Sequence, residues 1–483
     1  MYANKNLKGF AKIGFIGMGL ILGLMLSLTY SAVAEKMVKP QLPLEDLRAF
    51  AEVFGKVKTD YVETVEDKKL ISEAINGMLA GLDPHSSYLD ADSFKDMQAA
   101  TQGEFGGLGI EVGMEDGLVK VISPIEDTPA FKAGIKSGDL IMKLDDTQVK
   151  GLTLNDAVKK MRGKPDTPIV LTVLRKNESK PLTFTLVRAV IKTKSVKYKL
   201  SEPGYAYARV TQFQEHTGED LAKAIKTMYA ENKGPFKGFI LDLRNDPGGL
   251  LNGAVGVSAA FLPKGELVVY TEGRTPDAKM QLTAKPENYV RGADYLKDLP
   301  PEMKTVPMAV LINNGSASAS EIVAGALQDH KRATILGTQS FGKGSVQTIM
   351  PMNNGAAIKL TTARYFTPKG RSIQAKGIVP DIIVEDGTDQ SHNIREADLS
   401  RHLANPKDPS ANTDGVVTTP LKDAAKEKLN EKKFAEPIAP IEIASKDDIQ
   451  FTQAMNLLKG LPVVKSEPAK EAAKEPEKAE TAK

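Results

Sequence analysis

In Phe239-Ile240-Leu241-Asp242-Leu243-Arg244-Asn245-Asp246-Pro247-Gly248-Gly249, an apolar run of strand length stops in a turn. A short run without helical periodicity, closed by Asn, Asp, Pro and paired glycines, is the pattern of a buried strand that ends in a loop. The residues that follow, through Phe261, predict a helix. The same order recurs downstream: Met308 to Ile312 reads as a strand ending at Asn313-Asn314-Gly315, a helix follows from about Ala319 to His330, and Ala333 to Leu336 reads as a third strand. Strand, loop and helix in alternation from Tyr205 onward imply an α/β layer on a mostly parallel sheet, with sites at the strand ends. Residues 264–305 are polar and turn-rich, and are expected to form an elaborated crossover or a lid.

The chain has 483 residues, and chains beyond ~250 to 300 residues usually divide into separate cores. Lys plus Arg number 64 against 61 Asp plus Glu, a net charge of +3, so no sign-biased field favours nucleic acid. With no Cys, a disulfide scaffold, a thiol nucleophile and thiolate metal sites are excluded. The five histidines, at 85, 216, 330, 392 and 402, lack the i, i+4 pairing of a zinc helix. No metal or cofactor is expected.

Lys5, Lys8 and Lys12 precede an apolar run from Ile13 to Leu28, and Ala32-Val33-Ala34 offers a small-x-small cleavage site. Residues 1–34 read as a signal peptide cut after Ala34, or as an uncleaved N-terminal anchor, since the run reaches the lower end of the ~17 to 25 residues that span a bilayer. Either way the body is expected outside the cytoplasm, with the membrane met only through this segment. Residues 35–98 read as a helical N-terminal arm: Leu44, Leu47, Phe50, Ala51 and Phe54 recur at helical intervals, as do Leu70, Ile71, Ala74, Ile75 and Leu79. Each stripe is expected to be buried. Asp83-Pro84-His85-Ser86-Ser87 is a turn, because sequence neighbours cannot fold back on one another as a triad.

Residues 99–191 are a unit of short strands. Asp116-Gly117 is a hairpin signal before Leu118-Val119-Lys120-Val121-Ile122, and Thr153 with Asp156 forms a capping box ahead of Leu154, Ala157, Val158 and Met161. Strands at Ile169 to Leu174 and Leu182 to Leu186 complete it. Glycines in Gly107-Leu108-Gly109-Ile110 let successive backbone N–H groups face one concavity, which suits a peptide's terminal carboxylate, and the next strand edge is open to the rest of that peptide. With Ser137-Gly138-Asp139-Leu140-Ile141, this resembles a PDZ domain whose carboxylate loop is Gly107, Leu108, Gly109 and Ile110.

Two loops of the second half carry chemistry. In Gly315-Ser316-Ala317-Ser318-Ala319-Ser320-Glu321 a hydroxyl sits between small residues where a strand gives way to a helix. Small neighbours admit a substrate backbone, and the helix start offers unpaired N–H groups to a developing oxyanion. Ser318 and Glu321 also read as a capping box, and the two roles are compatible. Phe341-Gly342-Lys343-Gly344-Ser345-Val346-Gln347 places a lysine between glycines. Gly337 to Lys343 matches the first part of a phosphate-binding loop, but Gly344 stands where Ser or Thr should bind magnesium, and residues 345–350 look like a strand instead of the required helix. Together the loops supply an alcohol nucleophile and an amine base without histidine.

These loops, the Asp83 turn, the PDZ unit, Asp242 to Gly249 and Gly377-Ile378-Val379-Pro380-Asp381 make residues 42–384 resemble the carboxyl-terminal processing, or tail-specific, peptidases. The resemblance implies a multidomain α/β protein, with a ClpP/crotonase-like protease core over 192–386, the PDZ domain inserted before it, and an extension over 387–464 ending in a helix. Residues 465–483, nearly all Lys, Glu, Pro and Ala, are expected to be disordered. The resemblance further implies Ser318 as nucleophile, Lys343 as base at the family's spacing of 25, and Gln347 orienting the amine. It places the oxyanion at the N–H of Ala319 and of Gly248 or Gly249. At its ordinary pKa a lysine is ~0.04% neutral at pH 7, and lowering the pKa to about 7 takes roughly 4.6 kcal/mol. Lys343 is therefore expected in an apolar pocket without a carboxylate partner.

The reading is an exported serine endopeptidase of the periplasm or the outer face of the inner membrane, acting through an acyl-enzyme on proteins with apolar C-terminal tails. The alternative is a catalytically silent PDZ scaffold that binds such tails. Envelope-protein substrates, an adaptor protein and homo-oligomerisation through the arms are implied by the resemblance alone. Asp242 and Arg244 share a strand face and are expected to pair in a mainly architectural role, while Ser316 and Ser320 are alternative nucleophiles. His330 is expected to serve a helix end, and Thr362, Arg364 and Tyr365 fit a family motif without an assigned task.

Overall fold

The computed structural model describes residues 42–386 except 116, 126, 177 and 179, together with 394–407 and 444–466; of Asn155 only the backbone is described. The expected signal segment, most of the C-terminal extension and residues 467–483 of the tail lie outside the described residues. Lys465 and Ser466, the first residues of the expected disordered tail, are placed, and Ser466 N–H donates to Ile383 O at 3.0 Å. The chain divides into compact units at Ala74/Ile75.

In the first unit the helical periodicity produces the helix Leu44–Asp60, which buries none of its residues. Leu44, Leu47 and Phe50 are 63%, 45% and 48% exposed, so the expected burial of this stripe is corrected. A lone helix cannot cover its own apolar face; burial requires a second surface. The helix Asp67–Ala80 buries Leu79 alone.

In the second unit, strands Ile110–Glu115, Leu118–Pro124, Leu140–Leu144, Pro168–Leu174 and Leu182–Val187 form an antiparallel sheet in that order, with Ile110–Glu115 at its edge. Val119, Val121, Ile141, Leu171 and Val173 are fully buried in it. The helix Leu154–Met161 starts at Thr153, whose hydroxyl accepts from Asp156 N–H at 3.2 Å and donates to the Asp156 carboxylate at 2.7 Å. Arg175 forks Asp139 with two 2.8 Å hydrogen bonds, bracing the glycine-aspartate turn. Asp116 lies outside the described residues, but the strands on either side pair antiparallel. Strands Glu104–Gly107 and Ala189–Lys192 pair where the chain enters and leaves this domain.

The core holds a six-stranded sheet in the order Val196–Glu202, Tyr205–Val210, Gly238–Asp242, Met308–Ile312, Thr334–Gly337, Ile382–Ile383, parallel after the first pair. Phe239 and Leu241 pack with helices Thr217–Asn232, Leu251–Phe261 and Ala319–Asp329, while Ile240 packs on the other face with Phe451, Ala454 and Met455 of the helix Ile449–Leu458. Cover on both faces explains an apolar run without alternation. Arg244 binds this last helix: its two Nη atoms meet the Asp448 carboxylate at 2.8 and 2.7 Å while Nη2 also holds Asp242 at 2.6 Å. The role of Asp242 and Arg244 is thus architectural, since the face they share points to the C-terminal helix.

A second sheet is built on the strand Ala357–Phe366, which pairs with Ser345–Pro351, with Leu267–Gly273 and with Ser87–Leu89. Two expectations change here. Residues 264–305 are a crossover but not a lid, because Leu267–Gly273 and Gln281–Thr283 are strands of this sheet. Ser87–Leu89, inside the segment read as a helical arm, is a core strand.

Candidate active site

The loop that carries Ser318 begins where Met308–Ile312 ends. Asn313 and Asn245 bond reciprocally, Asn313 Oδ1 accepting from Asn245 N–H and Asn245 Oδ1 accepting from Asn313 Nδ2, both at 2.9 Å, which joins the ends of neighbouring parallel strands. Ser316 donates to Leu243 O at 2.8 Å and Ser320 to Asp246 O at 2.9 Å, and both are fully buried. Their hydroxyls are committed to architecture, which leaves Ser318 the accessible serine of the run. Ser318 sits immediately before the helix at φ 55°, ψ −111°, outside the regions that side chains favour. Such a conformation costs about 1 to 3 kcal/mol and persists only where its surroundings impose it.

Glu321 supplies much of that constraint. Its Oε2 accepts from Ser318 N–H at 2.8 Å, the acidic half of the capping box, and also from Lys343 N–H at 3.0 Å. Its Oε1 accepts from Gly342 N–H at 2.7 Å and from the Ser340 hydroxyl at 2.5 Å. The expected helix cap is therefore also the clamp between the serine loop and the lysine loop. Burial pushes the Glu321 carboxyl up to about 7, against these four donors.

Lys343 is held down to about 8, first by burial and second by Lys359, while Glu396, Glu321 and Asp83 pull the other way. It forms no ion pair with a described residue. The expected value near 7 is not reached because three carboxylates lie close enough to favour the ammonium. At about 8 the amine is roughly 10% neutral at pH 7, against about 0.04% for an unperturbed lysine. The glycines beside it are steric requirements: a Cβ on Gly344 would lie 2.4 Å from Gln374 N, and Gly342 has φ 102°.

Ser318 Oγ makes no hydrogen bond to Lys343 Nζ. The Tyr365 hydroxyl donates to the Lys343 carbonyl and so braces the lysine loop, a task the sequence did not disclose. Gln347 faces the same sheet surface as Ser345 and donates through Nε2 to Ser345 Oγ at 3.0 Å and to Thr361 Oγ1 at 3.1 Å.

At the helix start, Ala319 N–H has no acceptor among the described residues, as an oxyanion donor requires. Gly248 N–H is occupied, donating to Asp246 Oδ1 at 2.9 Å, whereas Gly249 N–H has no acceptor among them. Gly248 is packed against the Ser318 loop, so that an added Cβ would lie 2.6 Å from Ala317 O and 2.8 Å from Ser318 Cβ. Burial pushes Asp246 up to about 8, and its Oδ2 has no partner.

In the PDZ unit, Gly107 ends the entry strand, and Leu108 and Gly109 connect it to the edge strand beginning at Ile110. Their amides have no acceptor among the described residues. Gly109 takes φ 75° and would place a Cβ 2.2 Å from Thr128.

Residues 204–384 match peptidase family S41, residues 106–186 match the PDZ domain, and residues 18–93 match the activating protease CtpB N-terminal domain. The carboxy-terminal-processing protease of Bartonella bacilliformis is 47% identical over 445 residues, 91% of this chain and 95% of that protein. The carboxy-terminal processing protease CtpB of Bacillus subtilis is 36% identical over 333 residues, 68% of this chain and 66% of that protein. The solved photosystem II D1 C-terminal processing protease is 28% identical, with a TM-score of 0.40 over 68% of this chain and 85% of that one. Near-complete coverage at that first level of identity, around an alcohol and a desolvated amine tied to one carboxylate, settles the kinship: this chain belongs to the carboxy-terminal processing proteases of peptidase family S41, serine-type peptidases, here with a PDZ domain.

Proposed function

We propose that this chain is an exported serine endopeptidase that holds protein substrates by their C-terminal tails and cleaves them with Ser318, Lys343 and Gln347. The observation that carries this reading is the depressed pKa of Lys343 beside a serine loop bound to the same carboxylate. The neutral amine takes the Ser318 proton as Oγ attacks the scissile carbonyl carbon. The tetrahedral oxyanion is held by Ala319 N–H and Gly249 N–H. Collapse breaks the C–N bond, the departing amine receives the proton from Lys343, and an acyl-enzyme remains. Water then attacks the ester carbonyl with Lys343 again as base, the bond from the carbonyl carbon to Ser318 Oγ breaks, Oγ recovers the proton from Lys343, and the acid product leaves. For the first step the Ser318 hydroxyl turns to the amine.

The free amides of Leu108 and Gly109, beside the edge strand Ile110–Glu115, suit a tail's carboxylate and its extended backbone. The exposed stripe at Leu44, Leu47 and Phe50 supports self-association through the arms, and sedimentation of the protein with these residues changed to Ser tests it. Residues 1–34 support export to the periplasm or to the outer face of the inner membrane; a mature N-terminus at Glu35 would distinguish cleavage from anchoring. Envelope proteins as substrates and delivery by an adaptor belong to the same proposal.

The test is cleavage of an unstructured protein with an apolar tail. Ser318→Ala and Lys343→Ala should each abolish it, and parent-like cleavage by either variant overturns the mechanism. A silent scaffold would bind the tail and cleave nothing in its parent form. Moving the tail onto a second unstructured protein should confer cleavage; equal cleavage without the tail removes the PDZ role.

A further inference from the structure

The Asp83 turn reaches the site by a chain of hydrogen bonds that runs in one direction. Asp83 is buried and accepts at every contact: from His85 N–H at 2.8 Å, Ser86 N–H at 2.9 Å, the Ser86 hydroxyl at 2.7 Å and the Thr361 hydroxyl at 3.0 Å. With four donors on its two oxygens Asp83 serves only as an acceptor, so Thr361 spends its one hydroxyl proton on Asp83. Thr361 Oγ1 then meets Gln347 only as an acceptor, which agrees with the 3.1 Å bond from Gln347 Nε2. Ser345 Oγ takes a second bond from Nε2 at 3.0 Å. Both amide protons are committed, and Gln347 Oε1 is left as the open end of the side chain.

The backbone prepares this pairing. A register shift between Val346 and Gln347 moves the strand by one residue, so that Gln347 lies directly opposite Thr361. Bulges of this kind re-aim side chains beside active sites. On its other edge the strand receives Ser86 and Ser87: Thr361 N–H donates to Ser86 Oγ at 3.1 Å, and Ser87 pairs with Lys359.

We propose that Asp83 and Thr361 are positioning residues for the base, fixing the Gln347 amide so that Oε1, and never Nε2, is presented to the Lys343 amine. The consequence is chemical. A neutral amine has two N–H bonds and one lone pair; an acceptor takes an N–H and turns the lone pair towards Ser318, whereas a donor would compete for that lone pair. The inference rests on the Ser318-Lys343-Gln347 reading above and narrows the part of Gln347 from orienting the amine to accepting a hydrogen bond from it.

The experiment measures kcat and KM for an unstructured tailed protein with the full chain, with the thermal midpoint as the fold control. Thr361→Val removes donor and acceptor at constant shape and should lower kcat about 10- to 100-fold at unchanged KM, the usual range for losing an outer-shell partner. Thr361→Ser should restore kcat towards the parent. Asp83→Asn keeps the side chain's size but can supply a proton, which lets Thr361 reverse; it should fall in the same direction, and it serves if Thr361→Val does not fold. The double variant Gln347→Ala with Thr361→Val should be no slower than Gln347→Ala alone. Parent-like kcat in a folded Thr361→Val or Asp83→Asn, while Gln347→Ala is slow, overturns the relay, as does a double-variant loss equal to the product of the single losses. Parent-like kcat in Gln347→Ala overturns the role of Gln347 itself, a distinguishable failure.

Discussion

Ser318 and Lys343 donate their backbone N–H groups to the same atom, Oε2 of Glu321, at 2.8 and 3.0 Å. The separation of the proposed nucleophile and base is thereby set by one buried carboxylate and not by contact between their own side chains. Side chains can turn while their anchors stay fixed, which suits a serine hydroxyl that has to reach the amine.

Glu321→Gln should show the weight of that anchor. A carboxamide offers one acceptor oxygen where two now serve four donors, so its NH₂ must oppose two of them. We expect kcat to fall on the order of 10²-fold, the scale for a misplacement of about 1 Å, and stability to fall by about 1 to 3 kcal/mol for the unsatisfied donors. Single-turnover acylation and thermal melts check both, and parent-like acylation would refute the clamp.

The pH dependence follows from Lys343. With its amine held near 8, the rate should climb with pH through neutrality and level off above about 8, and a flat profile from pH 6 to 9 would contradict the base assignment. Folding stability depends on the same amine. The folded pKa lies below the unfolded one, so between about 8 and 10.5 the unfolded chain holds the extra proton and this group's contribution improves as pH rises. Below 8 the buried ammonium is a full cost of about 3 kcal/mol at most. Lys343→Met should be inactive yet more stable than the parent at pH 7, with the advantage shrinking by pH 10 in denaturant titrations.

Asp448→Ala leaves the Arg244 guanidinium with Asp242 and Gln450 but removes both bonds to Asp448. Losing one partner of a buried pair costs about 3 to 5 kcal/mol, here lessened by the remaining carboxylate. Hydrogen exchange should rise first in the helix Ile449–Leu458, and unchanged exchange there would show that this ion pair does not hold the helix.

Gly248→Ala inserts a methyl group against Ala317 O and Ser318 Cβ at a backbone with φ 94°. Both effects push on Ser318, so we expect kcat to drop on the order of 10²-fold with tail binding intact. Isothermal titration with a tail peptide and steady-state rates separate the two, and an unchanged kcat would mean that the loop has room to give.

Much of this was legible beforehand because it is local. Apolar runs bounded by turn residues located Gly238–Asp242 and Met308–Ile312, and Thr153 with Asp156 marked the start of the PDZ helix. The serine and lysine loops stood out by small-residue context and by resemblance. Other features left no local trace. The stripe of Leu44–Asp60 announced a face to bury but not whether anything covers it. Ser87–Leu89 is too short to read as a strand outside its sheet, and nothing around Gly248 and Gly249 said which amide Asp246 would occupy.

The sequence by itself determined the elements and the residue types of the site, because periodicity, caps and turns are settled within a few positions along the chain. Tertiary structure decided which groups meet. Thr361 and Asp83 are 278 positions apart, and Lys343 and Glu321 are 22 apart, yet each pair shares a hydrogen bond. The depressed pKa of Lys343 belongs to that second category as well, since desolvation is the sum of everything packed around an amine and no neighbour in sequence encodes it.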